Sequence, residues 1–294
     1  MTAVVQTVVL GLLLGGVYAL AASGLTLVFG VMNIINVAHG ALLVLAAYLT
    51  FAIWQRTGLD PILSIALTTP LMFALGWVLY QLTIRPLRGA PASMSVLLTF
   101  SLALLIQGVL GLIWGNLYRA VRPGYADESF HFWSLYFPKT RVFACVAALV
   151  ILTALWLLLT RTWLGRAIRA SAQNPHGAAL MGIDIAAVAA LTFALGVATT
   201  GAGGSLISIL FPFFPSTHYQ WISRLLGVIV LGGMGSLPGA VTGALLMGVA
   251  EAITARYIAL GWVTAVPYVV IFVVLLVRPR GLFGAATRQD VALT

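Results

Sequence analysis

The chain has 294 residues, of which 62% are hydrophobic and 7% charged, and its mean hydropathy is +1.09. Soluble domains carry roughly 25% charged residues, so a water-covered globule is excluded and the class is a polytopic membrane protein. The net charge of +9 does not point to nucleic acid. The basic residues sit between apolar runs and form no basic run with interleaved aromatics, as suits loops beside anionic lipid.

Apolar runs lie at about 3–31, 34–54, 61–83, 92–115, 142–160, 185–211, 224–255 and 258–277. A bilayer needs about 20 residues per helix, and a β-barrel would show short alternating segments instead. All eight therefore read as helices of one membrane domain, 1–294. The first run follows no basic n-region and is too long for a signal peptide, so it reads as a retained span. The lone Cys145 implies no internal disulfide. Gly11-xxx-Gly15 and Gly239-xxx-Gly243 have the spacing that lets helix backbones approach closely.

Four connections stand out. Residues 84–91 are short, basic and broken by Pro86. Residues 116–141 mix Asp127 and Glu128 with Arg119, Arg122, Lys139 and Arg141, and carry Tyr125, Phe130, Phe132, Trp133 and Tyr136; such a segment suits the membrane interface. Residues 161–184 form the most polar long stretch. A tail beginning RPRGLFG follows Val277.

Orientation follows basic residues. One assignment places Arg85, Arg88, Arg161, Arg166, Arg169, Arg278, Arg280 and Arg288 inside. Arg56, Arg119, Arg122, Lys139, Arg141, Arg224 and Arg256 then face out or lie near the outer interface, and the N-terminus lies outside. The tail returns inside only if the run 224–255 enters from the outer side and goes back. That run is split by GGMGSLPG at 232–239, and four glycines and a proline cannot make an ordinary helix. It reads as a half-helix 224–231, a turn within the membrane, and a returning helix 240–255. Such backbone is tolerated at membrane depth only inside protein or along a cavity.

The first half has a similar interruption. Residues 30–43, GVMNIINVAHGALL, can be set over residues 233–246, GMGSLPGAVTGALL. Both end in GALL, and a chance match in membrane sequence is the competing reading. As a repeat, the halves run roughly 1–115 and 142–277. Paired interrupted segments point to a transport pathway. The candidate pathway residues are Asn33, Asn36, His39 and Gly40 in one half, and Gly232, Gly233, Gly235, Ser236, Pro238 and Gly239 in the other. The asparagines can bond backbone that a broken helix leaves unpaired. His39 has no ligand partners at metal spacing and reads as a packed neutral residue.

No catalytic set, metal motif or nucleotide-binding glycine loop is present. Of six acids only Glu251 lies within an apolar run. Asp60, Asp127, Glu128 and Asp290 lie in loops or the tail, and Asp184 is placed to cap the following helix. Ion-coupled transporters keep ionisable groups in their spans, so energy for uphill transport would come from elsewhere. In 161–184, Asn174-Pro175 reads as a turn or a helix start, and HGAALMGI as a short amphipathic helix able to fit a partner's groove. An ordinary interfacial connector is the plainer alternative.

Four stretches, in order, carry a resemblance: GLLLGGVYALAASGLTLVFGVMNIINVAHGALLVLAAY, GRAIRASAQNPHGAALMGI, VIVLGGMGSLPGAVTGALLMGVAEA and RPRGLFG. Together they resemble the permease subunit of branched-chain amino acid ABC importers of the LivH type, over nearly the whole chain. The resemblance implies an all-α polytopic permease of the bacterial inner membrane. Its implied partners are a second related permease, two cytoplasmic ATPase subunits and a periplasmic binding protein. ATP and Mg would sit on those partners, with no cofactor or metal in this chain. It implies a coupling helix in 161–184, where Arg166, Arg169, Asn174, Ala178, Gly182 and Ile183 contact the ATPase. The chain departs from the broader EAA loop of ABC importers, lacking both Glu-Ala-Ala and the following Leu-Pro. The implied mechanism is alternating access for Leu, Ile, Val or other hydrophobic amino acids; similar permeases also handle urea or short amides. The competing function is a self-sufficient channel for small neutral solutes. A membrane enzyme finds no paired acid and base in the spans.

Overall fold

The computed structural model describes residues 2–87, 91–132 and 135–284. Arg88, Trp133, Arg288 and Asp290 lie outside them. Eight helices are long and apolar enough to cross a membrane, and the chain is an all-α polytopic membrane protein.

Helix α1 (Thr2–Met32) is the central post, buried nearly throughout from Leu14 to Val28. At 1.5 Å per residue it is about 45 Å long. Its glycines explain its neighbours. A Cβ on Gly11 would stand 2.7 Å from Val249 Cα, and one on Gly15 2.7 Å from Leu245 Cα. Both positions therefore admit the backbone of α10 (Leu237–Tyr257) at contact distance. Gly24 meets Gly196 of α8 (Ile185–Leu210) in the same way. Gly239 and Gly243 face Gly232 and Val228 where α10 packs on α9 (His218–Gly232).

The other helices follow local signals. Helix α2 (His39–Thr57) stops at Gly58, whose left-handed φ of 69° lets its N–H reach Trp54 O. Asp60 then caps α3 (Pro61–Leu79), accepting from Ile62 N at 2.8 Å, and α3 continues as a π turn, Tyr80–Ile84, and a 3-10 turn, Arg85–Leu87. Helix α4 (Ala92–Trp114) precedes the long mixed segment, and α5 (Lys139–Arg161) follows it. Ser205 of α8 hydrogen-bonds Thr50 of α2 at 2.7 Å and Thr68 of α3 at 2.9 Å, tying three helices together. Such bonds are worth about 1 kcal/mol or less each inside a membrane.

Part of the segment 116–141 is a β-hairpin, where the composition suggests only an interfacial stretch. Strands β1 (Ser129–Phe132) and β2 (Leu135–Pro138) pair antiparallel, Phe130 opposite Phe137. Four residues per strand are too few for a two-residue period to stand out. The hairpin is tethered beyond itself. Gln6 receives Tyr136 N on its amide oxygen at 2.9 Å and donates to Tyr136 O. Tyr125 donates to Asp60 at 3.3 Å; burial and this carboxylate hold its hydroxyl pKa above the ordinary value.

The polar stretch is a helical hairpin. Thr162 and Asn174 cap α6 (Trp163–Gln173) and α7 (Pro175–Leu180), and Asp184 caps α8 by accepting from Ala186 N and Ala187 N at 2.8 and 3.1 Å. The second interruption is shorter than its composition suggests. Helix α9 (His218–Gly232) begins six residues before the expected 224, because the 3-10 turn Pro215–Thr217 feeds it. The non-helical part spans 233–236 rather than 232–239, since Pro238 fits the first turn of α10, where no N–H is required. The last run opens with a 3-10 turn, Leu260–Ala265, and only Val266–Val277 is α-helix, α11.

The antiparallel order gives two ends. One carries the hairpin and the loops after α2 and α10. The other carries residues 161–184, both interruptions and the tail.

Candidate functional site

The second interruption touches the last turn of α1, just before the first. A Cβ on Gly30 would lie 3.4 Å from Gly235 Cα. The geometries of the two interruptions differ, which the aligned sequences do not suggest. The second is a tight turn: Gly233 and Gly235 take φ of 99° and 83°, Ser236 N bonds Gly233 O at 3.2 Å, and Ser236 Oγ caps α10 by accepting from Gly239 N at 3.1 Å. Gly232 and Gly239 then meet backbone to backbone.

The first is a climbing segment. Asn33 ends α1 in the left-handed conformation, φ 56°, with its N–H on Phe29 O at 2.8 Å; it is the one non-glycine residue with positive φ among those described. Residues 33–38 then rise alongside α1 until His39 Nε2 donates to Ala21 O at 3.0 Å. Ala21 lies eleven residues above Met32, or about 16 Å. Residues 33–36, the turn at 37–38 that His39 N closes on Asn36 O at 3.2 Å, and the reach of the imidazole together cover that height. The segment's backbone is served from inside the bundle, as membrane depth requires: Thr99 of α4 accepts from Val37 N at 3.2 Å. Asn36 and His39 are fully buried. Both polar atoms of the Asn36 amide and Nδ1 of His39 have no protein hydrogen-bond partner. Gly40 lets the first turn of α2 pack on that of α9, its Cβ position lying 2.6 Å from His218 O. Helix α9 thus starts level with the start of α2, inside the bundle, and descends only part of the way through it.

The tail completes the second interruption. Leu282 N donates to Leu231 O at 2.9 Å, and Phe283 N to Gly232 O at 3.0 Å. These are carbonyls that the end of α9 leaves without helical partners. The RPRGLFG stretch is therefore a cap for a helix fifty residues upstream.

In 161–184 the residues singled out by the resemblance divide. Arg166, Arg169, Asn174 and Gly182 are exposed. Asn174 spends its side chain on the α7 cap, accepting from Gly177 N at 3.0 Å, and Arg169 donates to Leu159 O. Gly182 turns the chain with φ 79°. Ala178 is buried, and Ile183 packs against the cluster of Leu27, Leu155, Leu159 and Ile168. Ala178 thus lies beneath the hairpin, and Ile183 is half-buried at its base. The large apolar residues turned outward in this stretch are Trp163, Leu180 and Met181, 65%, 76% and 83% exposed. Leu180 ends α7 and Met181 follows it on the closing turn, both within HGAALMGI.

A buried charge cluster was not foreseen. Arg224, expected near the outer interface, is only 7% exposed and Glu251 2%. Arg224 Nε lies 2.6 Å from Glu251 Oε1, and Tyr18 Oη donates to Glu251 Oε2 at 2.6 Å. The guanidinium also sits 4.8 Å from the Trp221 ring centre. A lone acid in an apolar run requires a counter-charge, which was the available signal. Its partner lies 27 residues away on an adjacent helix, which only the bundle reveals. The cluster forms the floor of a cavity of about 490 Å³ that opens at the hairpin end beside Arg141 and Arg256.

A helical bundle with interrupted helices toward one end and a cavity running in from the other has the architecture of a membrane transport protein. The sequence model of the family described as branched-chain amino acid transport system / permease component matches residues 7–277, and the chain belongs to that family. It is 30% identical over 294 residues to the high-affinity branched-chain amino acid transport system permease protein BraD of Pseudomonas aeruginosa, covering 95% of each chain. The LivH permease protein of Salmonella typhimurium is 28% identical over 291 residues, covering 93% of each. A probable branched-chain amino acid transport permease protein LivH of Methanocaldococcus jannaschii is 28% identical over 282 residues, 90% of this chain and 88% of that one. No solved structure matches.

Proposed function

We propose that the chain is one membrane-spanning subunit of an ABC importer that moves branched-chain or other hydrophobic amino acids inward by alternating access. A second permease completes the pathway, two cytoplasmic ATPase subunits hydrolyse ATP on their own chains, and a periplasmic binding protein delivers substrate at the hairpin end. The membrane is the bacterial cytoplasmic membrane, with the end that carries 161–184 facing the cytoplasm.

The observation that carries this reading is the tip formed by Leu180 and Met181. Two large apolar side chains fully exposed on a capped helical hairpin suit a groove in a partner protein. The tip's base packs on α1 and α8 through Leu27, Ile168 and Val188, and the α1 end of that contact leads into the interruption at 33–38. A push on the tip therefore reaches the non-helical segments where the helices can rearrange. Kinship with permease proteins of branched-chain amino acid systems supports the substrate class.

The test is uptake by the assembled transporter. Met181→Arg with Leu180→Arg should leave the subunits associated while abolishing uptake driven by ATP. Unchanged uptake in that variant contradicts the coupling role, and solute flux through the chain alone contradicts the importer.

A further inference from the structure

The cavity at the hairpin end has a chemistry of its own. We infer that it is an acceptor site for an apolar amino acid, with the substrate carboxylate held by Arg141 and Arg256; the inference rests on the importer reading and names where substrate first meets this chain. Its volume, about 490 Å³, falls in the range of roughly 300–1,000 Å³ usual for small-molecule sites. It follows α1 from Ala3 down to Leu14, eleven residues or about 16 Å, so a ligand that enters it leaves bulk water.

Three guanidinium groups line this space, with one carboxylate. Glu251 neutralises Arg224 through the 2.6 Å contact. Arg141 and Arg256 remain, and no hydrogen bond or ion pair joins either to another described residue. Two uncompensated guanidinium groups at the mouth of an apolar cavity select a carboxylate, whose two oxygens match the planar fork of arginine. Gln6 is engaged by the backbone of Tyr136 at both ends of its amide and walls the cavity without competing for the ligand. Deeper in, Leu10, Leu14 and Phe211 present hydrocarbon, which suits an aliphatic side chain. An amine of the same shape would face two cations with nothing to offer them, and an amide would offer a neutral carbonyl oxygen without charge.

The experiment uses the complex of this chain with its partner subunits, in bilayers of phosphatidylcholine. Cys145, the only cysteine, is replaced by alanine, and Ala252→Cys puts one thiol in the cavity wall. Labelling by N-ethylmaleimide is timed with leucine, leucinamide or isoamylamine present. Leucine should slow labelling, and leucinamide and isoamylamine should not. Arg141→Gln with Arg256→Gln should raise the half-protecting leucine concentration at least about tenfold, the loss of one charge-assisted hydrogen bond of about 1.4 kcal/mol. Equal protection by leucinamide, or unchanged protection in the arginine variant, overturns the carboxylate site. Protection by added phosphatidylglycerol and not by leucine would assign the arginines to lipid headgroups and overturn it too. ATP-driven leucine uptake by a preparation that shows no protection removes the acceptor site and leaves the importer standing; absence of that uptake removes the importer itself.

Discussion

Arg224 Nε and Glu251 Oε1 stand 2.6 Å apart in the interior of the bundle, on the two helices that flank the second interruption. The pair closes the floor of the hairpin-end cavity and clamps α9 to α10 on the far side of their shared turn. Taking two charges out of water is costly, and the pair is tolerable because Tyr18 and the Trp221 ring complete its surroundings.

Breaking that pair from one side should be worse than removing it. Glu251→Leu leaves Arg224 buried and unpaired, at a cost of about 3–5 kcal/mol. Adding Arg224→Met should restore a large part of the loss. Thermal unfolding of the detergent-purified protein measures both. Equal melting temperatures for the single and double variants would mean the pair is not coupled.

Asn33 and Asn36 should separate by substitution. Asn33→Gly should be close to neutral, because glycine takes the left-handed conformation without strain. Asn33→Val should cost about 1–2 kcal/mol. Asn36→Leu should reduce uptake more than it reduces the amount of protein inserted in the membrane, since its amide makes no bond that folding needs. Parallel loss of uptake and insertion would return Asn36 to a structural role. The readouts are quantified insertion and transport by the same membranes.

The tip and its base should respond differently. Met181→Arg should uncouple uptake with little change in melting temperature. Ala178→Arg should instead unfold the hairpin, since Ala178 is buried beneath it; burying an unpaired charge costs several kcal/mol. Limited proteolysis of 161–184 distinguishes them, with fast cleavage expected only for Ala178→Arg.

The tail should matter to a helix far from it in sequence. Leu282→Pro removes the N–H that serves Leu231 O and should destabilise by about 1–3 kcal/mol. Hydrogen exchange at the end of α9 should accelerate in this variant. Protection identical to the parent would show that the tail's bonds are dispensable.

The spans were legible because each is a long apolar run, and the glycine pairs because close helix approach needs a specific spacing. Asp184 was readable as a cap from position alone. The hairpin was not, since four-residue strands leave no periodic trace. The interruption at 33–38 was visible as misplaced polarity, but its climb past α1 depends on what His39 reaches, and Ala21 is 18 residues away. Similar GALL endings concealed two geometries, because Asn33 and the Gly233–Gly235 turn redirect the chain by different means. The Arg224–Glu251 pair and the tail cap arise between elements distant in sequence, where no local pattern can announce them.

The central claim is that this chain moves amino acids only when driven by ATPase partners acting through 161–184. It is tested most directly by leucine uptake into vesicles carrying the chain alone or together with its second permease, ATPases and binding protein. Uptake is expected only from the full assembly, only with ATP, and not with the Met181→Arg, Leu180→Arg variant. Leucine flux through the chain alone, or uptake undiminished in that variant, would contradict it.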